Sequence, residues 1–263
     1  MERNRRRRFR ARNMKKGVRR LYTEVAPHYE RVNHILTMGL DRIWRRRAGR
    51  VARRQAGPVR LDICTGTGEM AEELIRKAPP GTGVTAVDGS FSMLSRARSK
   101  PGLADARFAL AEVDRLPFPN GTFDMASISF ATRNLHSGAD RLAEYLKEFH
   151  RVLKPGGLFM NLETSQPRPA WLRRLFHFYV RLTVRPLGRM LSGSSAGYGY
   201  LAHTIPRFPG PVELTDLLLR AGFAEVRVER LFFGVAAVHL AEKSPGPVPG
   251  ERRTGAEEAS CPD

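Results

Sequence analysis

Two short apolar runs that follow one another in the chain each carry an acidic residue near their end. Asp62 lies in the run 59–63, which leads into a turn containing Gly66 and Gly68, and Asp88 ends the run 84–88. Glycine lets a turn adopt positive φ and brings backbone N–H groups close to a ligand. An acidic residue at the carboxyl end of the second strand can accept hydrogen bonds from both ribose hydroxyls. These residues predict a nucleoside-binding edge in a doubly wound α/β domain.

The turn after the first run indicates which nucleoside fits. A dinucleotide site needs the pattern G-x-G-x-x-G, whose glycines make room for a pyrophosphate. Here the turn reads Cys-Thr-Gly-Thr-Gly-Glu, and Glu69 at the start of the following helix would repel a diphosphate. A cationic ligand without phosphate, such as S-adenosylmethionine, tolerates this carboxylate, so that cofactor is predicted. The alternative, a tight turn with no ligand, is disfavoured by the paired acids at the two strand ends.

The remaining apolar runs supply the sheet and helices that must position this edge. Runs that predict strands cover residues 107–111, 123–130, 158–163, 224–231 and 235–241, and helical spacing covers 70–77, 142–153 and 213–221. We expect a Rossmann-like α/β fold, a doubly wound, mostly parallel seven-stranded sheet with a C-terminal antiparallel hairpin. The predicted domain spans 21–243, with 166–212 as a lid or substrate insertion. The arm at 1–20 and the tail at 244–263 are predicted to be disordered.

Four segments of the chain resemble a known family. They are residues 29–33 through Gly39 to 44–45, residues 61–68, residues 128–134, and residues 198–201 with Ile205 and 208–209. On these segments the chain is similar to the class I methyltransferases that C-methylate the quinol ring in menaquinone and ubiquinone biosynthesis. The similarity extends over about residues 22–243. The Ser-Phe-x-x-Arg-Asn and Tyr-x-Tyr-Leu segments are its specific part, because the glycine turn occurs in many methyltransferases.

The resemblance implies a set of residues that contact S-adenosylmethionine: Thr67, Asp88, Glu112, Val113 and Ser129. Gly66 joins this set through the glycine turn. The chain departs from the family pattern at three places. Tyr29-Glu30 stands where the family has Tyr-Asp, Glu112-Val113 where it has Asp or Asn followed by Ala, and Glu163-Thr164-Ser165 where it has Glu-Phe-Ser.

The implied reaction is attack by a ring carbon of a reduced prenylated quinol, demethylmenaquinol above all, on the sulfonium methyl group. Such a carbon becomes nucleophilic when a ring hydroxyl ionises, so the protein must align the reactants and stabilise a phenolate. Arg133 is the predicted stabiliser, since guanidinium stays charged, and Asn134 is predicted to orient the hydroxyl or a water. Four residues are candidates for the general base, and the sequence does not choose among them: Tyr29, His28, His136 and His203.

Positive charge is concentrated in three segments. The chain has 45 Lys and Arg against 26 Asp and Glu, a formal net charge of +19. Eleven basic residues lie in 1–20, seven arginines in 42–54 and six in 168–189. Such clusters attract anionic lipid head groups or phosphate backbones. The stretch 171–191 mixes apolar side chains with arginines, which is typical of a helix at a membrane interface, although an amphipathic lid packed on the sheet has the same pattern. We expect an anionic membrane surface as a partner, reached through the arm and this insertion.

Some kinds of protein and site are disfavoured by composition. No run of eighteen apolar residues is present, and the basic start lacks the apolar stretch of a secretory signal. Cys64 and Cys261 do not make a disulfide framework, and the seven histidines lack metal-ligand spacing, so no metal is assigned. We therefore expect a cytoplasmic enzyme that is peripheral at the inner face of the membrane.

Three other functions compete with quinol methylation. One is a non-enzymatic binding module that retains the fold, which the intact Asp88, Thr67, Arg133 and Asn134 disfavour. A small-molecule O- or C-methyltransferase of specialised metabolism uses the same scaffold. An RNA methyltransferase is less favoured, because the chain has no base-flipping motif of the Asn-Pro-Pro-Tyr type and no recognisable RNA module. Naphthoquinol or benzoquinol as substrate, prenyl length and the formation of a homodimer stay open.

Overall fold

The computed structural model describes residue 17 and residues 22–55, 57–76, 78–136, 138–192 and 195–246. The predicted arm at 1–20, apart from residue 17, lies outside the described residues. The same holds for the predicted tail at 244–263, apart from residues 244–246, and therefore for Cys261.

A seven-stranded sheet forms the centre of the domain. Its strands are β1 Val59–Ile63, β2 Gly83–Asp88, β3 Arg107–Leu110, β4 Phe123–Ser129, β5 Leu153–Thr164, β6 Phe223–Leu231 and β7 Ala236–Lys243. The spatial order is β3-β2-β1-β4-β5-β7-β6, with β1 to β5 parallel and β7 antiparallel to both of its neighbours. The predicted fold class, with its C-terminal antiparallel hairpin, is therefore confirmed. Chain order reverses between β1 and β4, which is where open α/β sheets place their ligands.

Helices cover both faces of the sheet and one end of it. They are α1 Tyr29–Leu36, α2 Leu40–Gln55, α3 Glu69–Arg76, α4 Phe91–Arg98, α5 Thr132–Leu135, α6 Ala139–Val152, α7 Ala170–Ser192, α8 Ser195–Thr204 and α9 Pro211–Arg220. Short 3-10 turns lie at Pro101–Leu103, Ile205–Arg207 and Phe232–Gly234. The helices predicted at 70–77, 142–153 and 213–221 correspond to α3, α6 and α9 with small shifts of their ends.

The periodicity of apolar residues decides which face each helix buries. In α6, Leu142, Leu146 and Phe149 recur at helical spacing and are fully buried against one face of the sheet, together with α9. On the other face, α2 and α3 contribute Trp44 and Leu74 to a second core. Because β1 and β4 are covered on both sides, their side chains are buried almost throughout, including those of Asp62 and Ser127.

A third core joins the N-terminal helix to the insertion at 166–212. Val32 of α1 packs with Val180 and Val184 of α7 and with Leu201 of α8. The Tyr179 hydroxyl donates to the carbonyl of Leu36 at 2.8 Å. The insertion therefore rests on α1 and closes one end of the domain. Within the described ranges, no helix has both the length and the apolar character needed to cross a membrane.

Candidate active site

A cavity opens at the carboxyl ends of β1, β2 and β4, where the order of the strands reverses. Its wall includes all six residues predicted to contact the cofactor: Gly66, Thr67, Asp88, Glu112, Val113 and Ser129. Two of the three predicted catalytic residues, Tyr29 and Asn134, also line it. The parallel register explains this convergence, because the loops that follow neighbouring strands meet at one edge of the sheet.

The turn after β1 has a left-handed backbone at alternate positions. Cys64, Gly66 and Gly68 have φ values of 53°, 57° and 85°. A Cβ on Gly68 would lie 2.4 Å from a methyl carbon of Leu103, so only glycine lets the turn pack this closely. A Cβ on Gly66 would meet nothing within 4 Å, which leaves open space beside the backbone. The turn is thus anchored on one side and accessible to a ligand on the other.

Asp62 fixes this turn from inside the protein. Its buried carboxylate accepts hydrogen bonds from the Thr65 hydroxyl at 2.7 Å and the Ser127 hydroxyl at 2.6 Å. Burial raises the pKa of Asp62 to about 6, and the two hydroxyl donors oppose that rise only in part. Asp62 therefore acts as a buried support that joins β1, β4 and the turn.

The Asp88 carboxylate already accepts one hydrogen bond from the backbone at each of its oxygens. One oxygen accepts the Gly66 N–H and the other accepts the Ser90 N–H, both at 2.8 Å. Each oxygen keeps a further lone pair, which suits a pair of vicinal hydroxyls. Burial raises the pKa of Asp88, while the backbone donors at Ser90 and Gly66 lower it. Glu112 follows β3 close by, with its Oε1 3.6 Å from where a Gly89 Cβ would be.

The chemistry of these donors and acceptors fits S-adenosylmethionine. Three carboxylates, those of Glu69, Asp88 and Glu112, line one cavity and favour a cation over a phosphate. Val113 is buried and apolar, as a site beside an aromatic base requires. Thr67 is buried and shares a hydrogen bond with the Glu30 side chain, which places it at the junction of α1 and the turn.

Arg133 is brought near the cavity but not into its wall. Its guanidinium donates to the Glu163 carboxylate, and its backbone N–H donates to the other oxygen of that group at 3.2 Å. Both side chains are buried. Burial alone would lower the pKa of Arg133, but the Glu163 carboxylate overrides this and holds that pKa above its usual range. The charge is therefore fixed behind the wall by a partner 30 residues away, which no local sequence pattern indicates.

Tyr22 is a residue of the cavity wall that sequence reasoning missed. The Asn134 amide donates to the Tyr22 hydroxyl at 2.8 Å, and the Tyr22 ring meets that of Tyr29 edge to face at 5.8 Å between centroids. Burial raises the pKa of both phenols, and the charge of Arg133 opposes the rise. The available signal was the nearness in sequence of Tyr22 to Tyr29, which was itself a predicted site residue.

The histidine candidates for the general base lie elsewhere. His28 and His203 are exposed, and His203 pairs with Arg207. His136 contacts the ring of Phe208 at 6.0 Å, and burial lowers its pKa. Among the four candidates, Tyr29 alone lines the cavity.

Arg45, which also lines the cavity, connects α2 to the start of α3. Its guanidinium donates to Asp41 at 2.7 Å, pairs with Glu69 at 3.1 Å and lies 5.0 Å from the centre of the Phe130 ring. Arg45 is buried, and the two carboxylates hold its pKa above the usual value against the effect of burial. The ion pair between Arg45 and Glu69 holds α2 against the start of α3, next to the turn.

One group of side chains in the described residues has the proximity of a metal site: Glu30, His34 and Glu69, with ligand atoms within 4.8 Å of one another. Each of them already faces a cation. Lys100 pairs with Glu30 at 2.7 Å, the Arg42 guanidinium donates to the His34 ring at 2.9 Å, and Arg45 pairs with Glu69. These cations neutralise the group, and we assign it no metal.

Comparisons with known proteins agree with this geometry. The sequence profile of the ubiE/COQ5 methyltransferase family matches residues 10–243. A demethylmenaquinone methyltransferase from Thermus thermophilus is 38% identical over 229 residues, which cover 85% of this chain and 100% of that protein. The ubiquinone/menaquinone biosynthesis C-methyltransferase UbiE of Geobacter sulfurreducens is 34% identical over 230 residues, covering 86% of this chain and 88% of that protein.

Solved structures share the fold at low sequence identity. A SAM-dependent methyltransferase from Aquifex aeolicus has a TM-score of 0.51 at 19% identity, covering 72% of this chain and 83% of that one. Human N-acetylserotonin methyltransferase, solved in complex with SAM, has a TM-score of 0.56 at 20% identity, covering 82% of this chain and 58% of that one. The cavity and the profile match together make this protein an S-adenosylmethionine-dependent methyltransferase, and the chain belongs to the ubiE/COQ5 methyltransferase family.

Proposed function

We propose that this enzyme transfers the methyl group of S-adenosylmethionine to a ring carbon of a prenylated quinol, with demethylmenaquinol as the preferred substrate. The observation that carries the proposal is that one cavity is lined both by residues suited to bind the cofactor and by residues suited to stabilise a phenolate. Strand-end carboxylates line the same cavity as Tyr29 and Asn134, and the Arg133 charge acts on Tyr29. The names of the full-length relatives support the substrate.

In this proposal the cofactor residues bind different parts of S-adenosylmethionine. Asp88 accepts the ribose hydroxyls with the lone pairs that Gly66 and Ser90 leave unused. Glu112 and Val113 bind the adenine, and Thr67 and Ser129 complete the wall. When bound, S-adenosylmethionine supplies an electrophilic methyl group on a cationic sulfur. The acidic wall complements that positive charge.

The acceptor side must favour an ionised quinol hydroxyl. Burial raises the pKa of Tyr29, so this phenol stays protonated near neutral pH and is suited to donate a hydrogen bond. We propose that Tyr29 is a donor of this kind and that Asn134 fixes its surroundings. Arg133 acts through its charge, because its guanidinium is held by Glu163 and does not line the cavity. The proton that leaves the ring passes to water in this proposal.

Helix α7 has a surface suited to a membrane, and this supports the proposed partner. Four apolar side chains at i, i+4, i+7 and i+11 are exposed by 56–68%: Trp171, Leu175, Phe178 and Leu182. Arg174, Arg181 and Arg185 lie along one side of this row, while Val180 and Val184 on the opposite face are buried. Exposed apolar rows bordered by cations are a feature of helices at lipid surfaces.

We propose that the insertion at 166–212 docks on an anionic membrane, at its inner face, and receives the prenylated substrate there. The basic arm at 1–20 adds attraction in the same proposal, since each Lys or Arg near an anionic surface contributes about 1 kcal/mol. Nucleic acid is the competing anionic partner, and the substrate test below includes it.

The proposed function is tested by methyl transfer to matched acceptors. Purified protein and labelled S-adenosylmethionine are incubated without oxygen with a short-chain 2-prenyl-1,4-naphthoquinol, the corresponding benzoquinol, and structured RNA. We expect label on the ring carbon of the naphthoquinol, identified by the loss of its ring proton in the NMR spectrum. The oxidised naphthoquinone is the matched control and should stay unlabelled, because it has no hydroxyl to ionise. Label on an oxygen or on RNA alone would refute the proposal.

A further inference from the structure

The hydrogen bond from Asn134 restricts the direction in which the Tyr22 hydroxyl can donate its single proton. The Asn134 amide N–H donates to the Tyr22 oxygen at 2.8 Å. A phenol has one proton to give, and its oxygen already accepts at this bond. Tyr22 lines the cavity, so its own O–H is left to donate to an acceptor within it.

The surroundings of Tyr22 favour an anionic acceptor. Burial raises the pKa of Tyr22, so the phenol stays neutral and keeps its proton near neutral pH. The Arg133 charge acts on the same place, since it opposes that rise for both Tyr22 and Tyr29. Because Glu163 holds the guanidinium, Arg133 adds positive electrostatic potential at this place without occupying the cavity. A neutral donor in a positive potential is what an oxyanion site requires.

We propose that Tyr22 is a catalytic residue whose hydroxyl, oriented by Asn134, donates a hydrogen bond to the ionising oxygen of the quinol. Asn134 is then a positioning residue that acts through Tyr22. The inference rests on the proposed quinol substrate and adds to it the residue that promotes ionisation. Nothing in the charge, the motifs or the family resemblance assigned a role to Tyr22.

The quinol hydroxyl loses its proton to water, and the resulting phenolate pushes an electron pair through the ring. A bond forms between the ring carbon and the methyl carbon as the bond from methyl to sulfur breaks, with its electron pair going to sulfur. The ring carbon then loses its proton to water, which restores the aromatic ring as a phenolate, and water returns one proton to that oxygen to give the quinol product. Tyr22 stays protonated throughout and stabilises the oxygen while it carries negative charge.

This role predicts a rate effect that depends on pH. A hydrogen bond to the charged form lowers the pKa of the bound quinol hydroxyl, so Tyr22→Phe raises it. Below that pKa, kcat should fall about 5- to 20-fold, because the transition state keeps part of the oxyanion charge. The limb of the pH–rate profile should move up by about one pH unit. At high pH, where the quinol ionises without help, the variant should approach the wild-type rate.

Two further variants separate this role from a structural one. Asn134→Asp keeps the size of the side chain but turns a donor into an acceptor, so it draws the Tyr22 proton away from the cavity. It should shift the profile in the same direction as Tyr22→Phe. In the double variant Tyr22→Phe with Asn134→Asp the losses should not add, because both act at one hydrogen bond. Tyr179→Phe removes a hydroxyl that bonds to the Leu36 carbonyl outside the cavity and should leave the profile unchanged.

The measurement uses full-length protein, short-chain naphthoquinol and saturating S-adenosylmethionine without oxygen. The affinity of each variant for S-adenosylhomocysteine, by calorimetry, should stay within threefold of wild type. Absorbance of bound 1-naphthol gives the ionisation shift directly, without turnover. A profile for Tyr22→Phe that overlies the wild type, or a loss of rate that is equal at every pH, would overturn the assignment. If wild type fails on every quinol but still lowers the pKa of bound naphthol through Tyr22, the substrate proposal fails and the oxyanion site stands.

Discussion

Replacing Asp88 by Asn tests the cofactor site with little change of shape. The carboxylate accepts two backbone N–H groups at 2.8 Å and keeps lone pairs that the proposal assigns to the ribose hydroxyls. A hydrogen bond to a charged group contributes about 1.5–3 kcal/mol, against about 0.5–1.5 kcal/mol for a neutral one. Removing the charge from two ribose bonds should therefore cost about 2–3 kcal/mol, which weakens binding about 30- to 150-fold.

The assay is calorimetric titration with S-adenosylhomocysteine. Asp124→Asn is a matched control, because Asp124 also accepts a backbone N–H, that of Val59 at 2.9 Å, and pairs with Lys154 at 2.7 Å. Asp124 is not part of the cavity wall. Its variant should lose stability in a melting experiment and keep its affinity. An affinity for the Asp88→Asn protein within threefold of wild type would show that this carboxylate does not bind the ribose.

Three further predictions concern stability and the membrane. Burial raises the pKa of Asp62 to about 6, above its ordinary 3.8, so the folded state holds the proton more tightly. As pH rises from about 4 to about 6, wild type should lose about 2 kcal/mol of unfolding free energy relative to Asp62→Asn, measured in urea. Glu163→Gln should lower the unfolding free energy by about 3–5 kcal/mol, because it leaves the Arg133 charge buried without its partner. Replacing both Phe178 and Leu182 by Ser should weaken sedimentation with anionic vesicles and leave turnover of a short-chain quinol unchanged.

Each of these expectations has a distinct contrary result. Parallel pH–stability curves for wild type and Asp62→Asn would mean that Asp62 is ionised in the fold. A loss below 1 kcal/mol in Glu163→Gln would mean that the Arg133 charge finds another partner or water. Unchanged vesicle binding after Phe178 and Leu182 are both replaced by Ser would mean that the exposed apolar row of α7 does not contact lipid. The control is the replacement of Val212 and Leu219 of α9 by Ser, since these are also exposed apolar positions.

The placement of the candidate cofactor residues was predictable because these residues follow local rules. A glycine turn after a buried strand, and an acid at the end of the next strand, are placed by the sheet itself. Parallel strands bring their carboxyl ends to one edge, so Gly66, Asp88 and Ser129 converge once the strands are identified. The apolar spacing of α6 likewise determines which face it buries.

Other features of the site depend on distant pairings that no local pattern encodes. Arg133 and Glu163 are 30 residues apart, and Tyr22 and Asn134 are 112 apart. Whether such side chains meet depends on how helices pack across the sheet and on which rotamers the core permits, and these are decided only when the chain is folded. The sequence by itself thus determined the sheet, the turn and the placement of the strand-end carboxylates at one edge, because strand periodicity and turn chemistry are local. The tertiary structure alone decided that the arginine is buried behind the wall and that a tyrosine faces the cavity, because burial and charge pairing depend on the packing of segments far apart in the chain.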